Sequence, residues 1–319
     1  MINVAIIGYG NLGKGVEKGL KHHEDIHCFG VFTKRDPKSV KTAYAPVYAY
    51  DDLLNYQNEI DVCILCGSSK NDLPQQTPFL SQYFNCVDSF DMHDLVVEHL
   101  NKTDASCQAN QKTAIVSVGW DPGLFSLQRA LFASVLPAGK NYTFWGKGVS
   151  QGHSQAVRKI PGVIDAVQYT VPDASLINKI KAHEEVEKAR HQRVCYVVAD
   201  EKDHQRIHDE IINMPHYFKG QDTSVHFITQ EAMAENHQGM AHGGHVLRQG
   251  ESSSAHQHLM SFSLALDSNP EFTALVLIAY AKAAYRLNQK GQYGAMTILD
   301  VPVSALSSLT LAAQIEHFV

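Results

Sequence analysis

The chain has 319 residues, of which 44% are hydrophobic and 19% charged, as is typical of a folded globular protein of about two domains. Its net charge of −6 argues against nucleic acid as the main partner, because binding to phosphate backbones needs a basic field. We expect no export signal, since Met1 leads straight into the first predicted strand, and no membrane association, since the apolar run 272–280 is too short for a bilayer. Six scattered cysteines without a paired framework then predict a cytoplasmic protein.

The first 120 residues alternate between strand and helix patterns. Strands are predicted at Val4–Gly8, His27–Thr33, Pro46–Tyr50, Asp61–Cys66, Cys86–Ser89 and Ala114–Val118, and helices at Asp51–Tyr56, Pro78–Phe84 and Asp94–Asn101. This alternation is typical of an α/β fold with a doubly wound parallel sheet, in which ligands bind at the carboxyl ends of the strands. We therefore predict a Rossmann-type dinucleotide-binding domain over residues 1–120, with a C-terminal return segment at about 266–319.

The pattern changes in the second half of the chain. Short alternating strands are predicted at Ala166–Thr170, Val194–Ala199 and Ser224–Ile228, and charged helices such as Asp203–Ile212 lie between them. This pattern predicts a second, α+β domain with a mixed or antiparallel sheet over residues 121–265. The long amphipathic segment Phe272–Leu287 then belongs to the return segment that packs on the first domain.

Three glycines follow the first predicted strand, in the stretch "VAIIGYGNLGKG". Gly8, Gly10 and Gly13 have the spacing G-x-G-x-x-G between a buried strand and a helix. Such a turn brings a diphosphate close to the backbone, and the helix N-terminus offers free N–H groups to it. A glycine turn without any ligand is the alternative.

The end of the second predicted strand indicates which dinucleotide binds. A carboxylate at this place favours NAD, but the chain has Thr33, Lys34 and Arg35 there. One hydroxyl and two cations suit a 2′-phosphate, so we predict NADP, while Asp36 keeps NAD open. The alternative is a loop with two solvated basic residues.

Two aspartates follow later strands of the predicted sheet. Asp91 in "VDSFDMHD" and Asp121 in "SVGWDPGLFS" are expected in the crevice where a nicotinamide ring would lie. Helix capping explains them equally well: Asp121 precedes a proline suited to the first helical position, and Asp91 or Asp94 could cap the next helix. Trp120, like Trp145, suits a pocket wall as well as ordinary core.

The second domain offers groups that bind anions. Thr170, Arg193, His242 and His245 are the candidates. His-x-x-His lacks a third ligand at a recognisable spacing, so we predict no metal. Nor is C-x-x-C in "DVCILCG" expected to bind metal or form a redox pair, because residues three apart on a strand face opposite sides.

Several of these stretches together resemble one enzyme family over nearly the whole chain. The motifs are "GYGNLG", "DSFDMH", "GWDPGLFS", "TFWGKGVSQGHS", "IPGVIDAVQYT", "MPHYF", "GMAHGGHV" and "NPEFT". They resemble the meso-diaminopimelate D-dehydrogenases, and "GWDPG" and "HGGH" are far more specific than the glycine motif. The family usually has two arginines after the second strand, where this chain has Lys34 and Arg35.

The resemblance implies an activity and an assembly. The family oxidises the D-configured α-carbon of meso-2,6-diaminopimelate, hydride passes to NADP, and hydrolysis releases ammonia and L-2-amino-6-oxopimelate. The reaction is reversible and serves lysine and cell-wall precursor metabolism. A homodimer is implied, in which the second domain binds substrate and contributes to dimerisation.

The resemblance also implies roles for particular residues. Asp91 and Asp121 would hold the reacting amino group and act in catalysis. Beyond these two aspartates, substrate would contact Trp145, Gln151, Gly152, Thr170, Arg193, His242 and Asn269, of which Thr170, Arg193, His242 and Asn269 would hold the distal, L-configured end. Cofactor would contact Gly8, Tyr9, Gly10, Asn11, Leu12, Gly13, Thr33, Lys34, Arg35, Cys66, Gly67, Ser68, Ser69, Ser89, Phe90, Asp91, Gly119, Trp120, Asp121, Pro122, Gly123 and Asn269.

Two other functions fit the same sequence. One is another NAD(P)-dependent reductase of this fold, acting on an intermediate of lysine or threonine synthesis. The other is a non-catalytic protein that senses NADPH. Turnover with homoserine or dihydrodipicolinate would favour the first, and tight NADPH binding without turnover of any amino acid would favour the second.

Overall fold

The computed structural model describes residues 1–319 and divides into two compact units. The first comprises Met1–Leu127 and Pro270–Val319, and the second is Gln128–Asn269. None of the helices combines the length and the apolar content that crossing a bilayer requires.

The first unit contains a seven-stranded parallel sheet with the order β14-β6-β5-β4-β1-β2-β3. Its strands are β1 (Ile2–Ile7), β2 (Ile26–Thr33), β3 (Val47–Ala49), β4 (Val62–Leu65), β5 (Asn85–Asp88), β6 (Thr113–Ile115) and β14 (Gly294–Met296). Its helices are α1 (Asn11–Leu20), α2 (Leu73–Leu80), α3 (Val96–Asn110), α9 (Asn269–Gln289), which starts at the unit boundary, and α10 (Leu311–Phe318), while α4 (Leu124–Val135) also crosses that boundary. The predicted Rossmann-type fold is confirmed.

The central strand β1 is buried on both faces, which explains its apolar, β-branched sequence. Val4 and Ile6 pack into one core cluster, which includes residues of α9. Ala5 and Ile7 pack into a second cluster on the opposite face. The first βα turn follows the carboxyl end of β1 and therefore lies at the sheet edge where ligands bind in this fold.

The second unit contains two sheets. A mixed sheet has the order β11-β10-β9-β8 and an antiparallel sheet the order β13-β12-β7. The strands are β7 (Gly139–Trp145), β8 (Gly148–Val149), β9 (Val163–Pro172), β10 (His191–Ala199), β11 (Asp222–Phe227), β12 (His242–Ser253) and β13 (His256–Leu266). The helices are α5 (Gln151–Arg158), α6 (Ala174–Lys181), α7 (His204–Ile212) and α8 (Gln230–Asn236). The predicted α+β architecture is confirmed.

The structure differs from the sequence-based predictions in three places. The helix predicted at Pro78–Phe84 corresponds to α2, which begins earlier, at Leu73. Pro74, and not Pro78, is the proline in the first turn of this helix, and Pro78 lies inside it. The helix predicted at Asp51–Tyr56 is a 3₁₀ helix, Tyr50–Tyr56. The long hairpin of β12 and β13 was not predicted, because β12 is polar and glycine-rich and the apolar alternation at 260–266 of β13 was not used as a strand signal.

Candidate active site

The glycine turn after β1 has the backbone geometry that close approach of a phosphate requires. Gly8 has φ +93°, a conformation that L side chains rarely adopt. A Cβ on Gly13 would lie 2.2 Å from the Gly8 carbonyl oxygen, so α1 packs directly against the turn. A Cβ on Gly10 would meet nothing within 4 Å, and Gly10 makes no side-chain cap at the start of α1. The start of α1 thus has open space beside Gly10 and no side-chain cap, which fits a diphosphate at this helix N-terminus.

A cavity of about 270 Å³ opens beside this turn. Its walls bring together the residues Ile7, Gly8, Tyr9, Gly10, Phe32, Thr33, Lys34, Arg35, Tyr50, Cys66, Gly67, Ser68, Asp72 and Gln76. Most of these polar and glycine residues were predicted, Gly8, Gly10 and residues 33–35 from the strand ends and the others from the family resemblance. Tyr50, Asp72 and Gln76 were not, and the buried Oε1 of Gln76 has no hydrogen-bond partner. A polar ligand that donates to this oxygen would satisfy it.

Two positively charged side chains, Lys34 and Arg35, line this cavity, and each is oriented by hydrogen bonds. The Nη2 of Arg35 donates to the Tyr9 carbonyl oxygen at 2.8 Å, and the Arg35 N–H donates to Thr33 Oγ1 at 3.1 Å. The Nζ of Lys34 lies 2.8 Å from Asp72 Oδ1. Arg35 thereby keeps most of its five N–H donors for a ligand, which suits a phosphate group.

A buried carboxylate below the turn fixes the position of Tyr9. Glu17 is only 1% exposed, and it accepts hydrogen bonds from the Tyr9 hydroxyl and from the N–H groups of Ala43, Tyr44 and Ala45. Burial and the nearby Glu17 raise the pKa of Tyr9 to about 12. Although burial alone raises the pKa of Glu17, these donors lower it overall. Glu17 therefore stays charged and ties the glycine turn to the loop before β3.

The loops after β4, β5 and β6 are joined by side-chain hydrogen bonds. Ser69 Oγ accepts from the Asp91 N–H at 3.1 Å and donates to the Ser89 carbonyl oxygen at 3.5 Å. Asp88, at the end of β5, is fully buried and accepts from the N–H groups of Phe90 at 3.0 Å and Ser117 at 2.9 Å. The structure thus brings together the predicted residues 69 and 89–91 and fixes the strand end that leads to residues 119–123.

Asp88 also contacts two side chains that sequence reasoning missed. His99 Nε2 lies 2.6 Å from Asp88 Oδ2, and the Thr77 hydroxyl donates to the same oxygen at 2.7 Å. The His99 ring stacks on Phe90 with the centroids 4.2 Å apart. Each oxygen of the buried Asp88 carboxylate thus has two hydrogen-bond partners. Because one of them is the Phe90 N–H, Asp88 fixes the backbone just before Asp91.

The helix-capping alternative was wrong for Asp91 and Asp94, and the position that it assumed for Pro122 after Asp121 was wrong. Helix α3 has Leu95 at its N-cap, and the 3₁₀ helix His93–Leu95 has Met92, with no side-chain cap at either place. Helix α4 begins at Leu124, so Pro122 is not its first residue. The Asp91 side chain is exposed and carries no hydrogen bond, whereas Asp121 is partly buried.

The second unit aligns three predicted substrate residues. Antiparallel pairing places Gly148 of β8 opposite Thr170 of β9, and Thr170 opposite Arg193 of β10. Cross-strand partners point to the same face of a sheet. The His242 ring lies over Gly148, where a Cβ would come within 2.3 Å of the ring. The result is a row of His242, Thr170 and Arg193 side chains.

Arg193 is the strongest anion-binding group in this row. Its Nη1 donates to Thr170 Oγ1 at 2.5 Å, while its Nε is buried and has no partner. Burial lowers the pKa of this guanidinium, but an arginine remains charged at physiological pH. A buried, unsatisfied donor on a cation is the arrangement that a carboxylate completes.

Two histidines near Arg193, His153 and His191, were not predicted from the sequence to belong to the site. Burial, with a further contribution from the Arg193 charge, lowers the pKa of His191 to about 4, and the same causes lower the pKa of His153. His191 Nε2 accepts from the Trp145 N–H at 2.9 Å, and its ring lies 5.3 Å from the Trp145 ring. Both histidines are neutral at pH 7, so Arg193 supplies the positive charge of this row.

Two further predicted substrate residues of this unit, Gln151 and Asn269, contact Met240. Gln151 Nε2 lies 3.5 Å from Met240 Sδ, and the Asn269 N–H donates to the Met240 carbonyl oxygen at 3.0 Å. Gly152 follows in the first turn of α5 and is exposed. His245, by contrast, binds Ser263 Oγ at 2.8 Å, outside the row. No three His, Cys, Asp or Glu side chains are arranged to hold a metal ion, and all six cysteines are free thiols.

Comparison with known proteins places this architecture in a family. The model for the diaminopimelic acid dehydrogenase C-terminal domain matches residues 119–268. The chain is 50% identical over 311 residues to the meso-diaminopimelate D-dehydrogenase of Ureibacillus thermosphaericus, which covers 96% of this chain and 95% of that protein.

Two solved structures are similar over the whole chain. Corynebacterium glutamicum DAP dehydrogenase in complex with DAP has a TM-score of 0.92 and 41% identity, covering 100% of this chain and 99% of that one. An engineered D-amino acid dehydrogenase bound to NADP⁺ has a TM-score of 0.87 and 40% identity, with the same coverage. The chain therefore belongs to the meso-diaminopimelate D-dehydrogenase family.

Proposed function

We propose that this chain is an NADP-dependent dehydrogenase that converts meso-2,6-diaminopimelate, NADP⁺ and water reversibly into L-2-amino-6-oxopimelate, ammonia, NADPH and a proton. The observation that carries the proposal is Arg193, a cation with a buried, unsatisfied Nε next to the Thr170 hydroxyl. A substrate with a second carboxylate, beyond the one at the reacting carbon, has a use for such a group. Relatives over nearly the full length carry this activity in their names.

The residues at the carboxyl ends of β1, β2 and β4 fit NADP. The glycine turn and the start of α1, including Asn11 and Leu12, would hold the diphosphate, and Arg35 with Lys34 would hold the 2′-phosphate. For the nicotinamide half we propose Ser69, Ser89, Phe90, Asp91, Gly119, Trp120, Asp121, Pro122, Gly123 and Asn269. Bound NADP⁺ supplies the hydride acceptor, and the protein contributes binding and orientation.

The substrate has an amino acid group at each end, and the chain has complementary groups for both. We assign the reacting ammonium to Asp91 and Asp121, because carboxylates stabilise a cation and can accept its proton. Gln151 and Gly152 take the carboxylate at that end, and Trp145 forms a wall of the pocket. The exposed Asp91 carboxylate, which carries no hydrogen bond of its own, is available for this contact.

The distal, L-configured end is assigned to Thr170, Arg193, His242 and Asn269. Thr170 of β9 and Arg193 of β10 are paired, and His242 of β12 lies over Gly148 of β8. The Asn269 N–H donates to the Met240 carbonyl oxygen. A bidentate guanidinium fixes the angle as well as the distance of a carboxylate. Binding energy from this non-reacting end orients the D centre toward the hydride acceptor.

Three wider assignments complete the proposal. Dinucleotide binding belongs to residues 1–120 with the return segment 266–319, and substrate binding and dimerisation belong to residues 121–265. The working enzyme is a homodimer. Cytoplasmic location is supported by the six free cysteines, since thiols persist in a reducing compartment.

Absorbance of NADPH tests the proposed reaction directly. The purified chain should reduce NADP⁺ with meso-diaminopimelate, and much less with the LL isomer or with NAD⁺. The DD isomer has a D centre but presents the wrong configuration to the distal site, so it should also react poorly. Equal rates with all three isomers, or no NADPH formation with any of them, would contradict the assignment.

A further inference from the structure

Asp72 is a carboxylate in a cavity that otherwise presents cations. Its Oδ1 lies 2.8 Å from Lys34 Nζ, and its Oδ2 accepts the Ser68 N–H at 3.0 Å. The Lys34 hydrogen bond, followed by the Ser68 N–H, lowers the pKa of Asp72, so it is ionised at neutral pH. Lys34 also lies 5.5 Å from the centroid of the Tyr50 ring.

The charges that line this cavity are few. Lys34 and Arg35 are its cations, and Asp72 is its one carboxylate. Arg35 directs one nitrogen to the Tyr9 carbonyl, which is neutral, so its positive charge is not compensated. Lys34 is compensated by Asp72. The two cations of the predicted 2′-phosphate site are therefore not equivalent.

We propose that Asp72 is a specificity-determining residue that weakens discrimination between NADP and NAD by holding Lys34. The inference rests on the proposed cofactor site. A 2′-phosphate that recruits Lys34 must compete with the Asp72 carboxylate for the ammonium, whereas a 2′-hydroxyl leaves the pair intact. The advantage of NADP therefore comes mainly from Arg35, and Lys34 contributes less than its position suggests.

The contacts of Asp72 also show how its charge can be removed without loss of the loop. A Cβ on Gly67 would lie 2.7 Å from Asp72 Cβ, so the loop 67–68 packs closely on this side chain. In Asp72→Asn the amide oxygen can still accept the Ser68 N–H, while the amide nitrogen faces Lys34 and releases it. The substitution is isosteric and leaves the packing unchanged.

The test is calorimetric binding of adenosine 2′,5′-bisphosphate and of adenosine 5′-monophosphate to the full-length protein. Asp72→Asn should bind the bisphosphate about 3- to 10-fold more tightly than the wild type, with little change for the monophosphate. Asp36→Asn is the matched control. Asp36 is two residues from Lys34, but its carboxylate caps the 3₁₀ helix at 37–39 and does not line the cavity. The ratio of the dissociation constants for the monophosphate and the bisphosphate should therefore stay as in the wild type.

The Lys34→Gln variant distinguishes release of Lys34 from a direct effect of the Asp72 charge on the ligand. In Lys34→Gln, the further change Asp72→Asn should have little effect, because no ammonium remains to be released and the exposed charges are screened. The inference would be overturned if Asp72→Asn still tightened bisphosphate binding in the Lys34→Gln variant. It would also be overturned if Asp72→Asn alone left the ratio of the two dissociation constants unchanged. If the wild type does not prefer the bisphosphate to the monophosphate, the proposed cofactor site itself is wrong. Asp72→Ser should reproduce the gain if the asparagine variant folds poorly.

Discussion

Arg193 and Thr170 lie opposite each other on neighbouring antiparallel strands, with Arg193 Nη1 2.5 Å from Thr170 Oγ1. The hydroxyl thus orients the guanidinium without neutralising it. Because His153 and His191 next to it are neutral at pH 7, Arg193 is the charge that a distal carboxylate would meet. The first prediction follows from this arrangement.

Arg193→Met keeps much of the apolar volume of the side chain and removes its donors. Turnover of meso-diaminopimelate, as kcat/KM, should fall by roughly 100-fold or more, because a charged bidentate contact contributes about 3 kcal/mol. Weak activity on a simple D-amino acid, which has no distal carboxylate, should change much less. Arg190→Met, an exposed neighbour just before β10, is the control. Equal losses on both substrates would move Arg193 to the reacting end or to the scaffold.

Arg35→Ala tests the cation that the Asp72 pair leaves uncompensated. The Michaelis constant for NADP should rise about 10- to 100-fold, since a charge-assisted contact to the 2′-phosphate is lost, and the constant for NAD should change little. Initial rates with both cofactors measure the effect. Arg35 also donates to the Tyr9 carbonyl. Equal losses with NADP and NAD would therefore mean that it only supports the glycine turn.

Site residues could be predicted from the sequence where they lie directly at the end of a recognisable buried strand. Ile2–Ile7 is apolar except for Asn3 because both faces of β1 are covered, and this made the strand and the glycine turn after it predictable. Thr33, Lys34 and Arg35 follow a strand end, so their place in the cavity could also be inferred. In each case the neighbours that matter lie within about one βα unit.

Residues paired across long stretches of chain were not predictable. Asp72 meets Lys34 across 38 residues, and nothing in the strand pattern indicates which carboxylate faces a given lysine. His191 is two residues before Arg193 on one strand, which puts both on the same face, but it is one of 18 histidines without a distinguishing motif. The roles of these residues depend on tertiary pairing and on burial, which single-sequence periodicity does not contain.

Asp121→Asn tests the proposed contact with the reacting amino group. The amide keeps the size and one acceptor of the carboxylate but loses its charge and its basicity. Turnover should fall by about 100-fold or more, because the reacting amino group loses its charged partner and proton acceptor. The melting temperature should change little, because the amide is isosteric with the carboxylate and α4 begins only at Leu124. A variant with full activity would exclude Asp121 from the chemistry. Unfolding would assign it a structural role.

Gly148→Ala tests the contact between Gly148 and His242. The added methyl group would come within 2.3 Å of the His242 ring, so the ring must move away from the row that contains Thr170 and Arg193. We expect a higher Michaelis constant for meso-diaminopimelate and an unchanged constant for NADP, measured from initial rates. Gly239→Ala is the control, since Gly239 is exposed, has no proposed substrate contact, and a Cβ there meets nothing within 4 Å. If both variants behave alike, the position of His242 does not matter for substrate binding.

His191 should make the stability of the protein depend on pH. Its pKa is about 4 in the folded state and 6.5 in the unfolded chain, so the unfolded state binds more protons between these values. Stability is therefore fully present above pH 6.5 and falls as the pH drops toward 4. His191→Gln can still accept the Trp145 N–H, so its melting temperature should fall less between pH 7 and 4.5 than that of the wild type. His22→Gln, at an exposed ring, controls for the loss of one imidazole. Parallel melting curves for the wild type and His191→Gln over this range would show that His191 is not kept neutral by its surroundings.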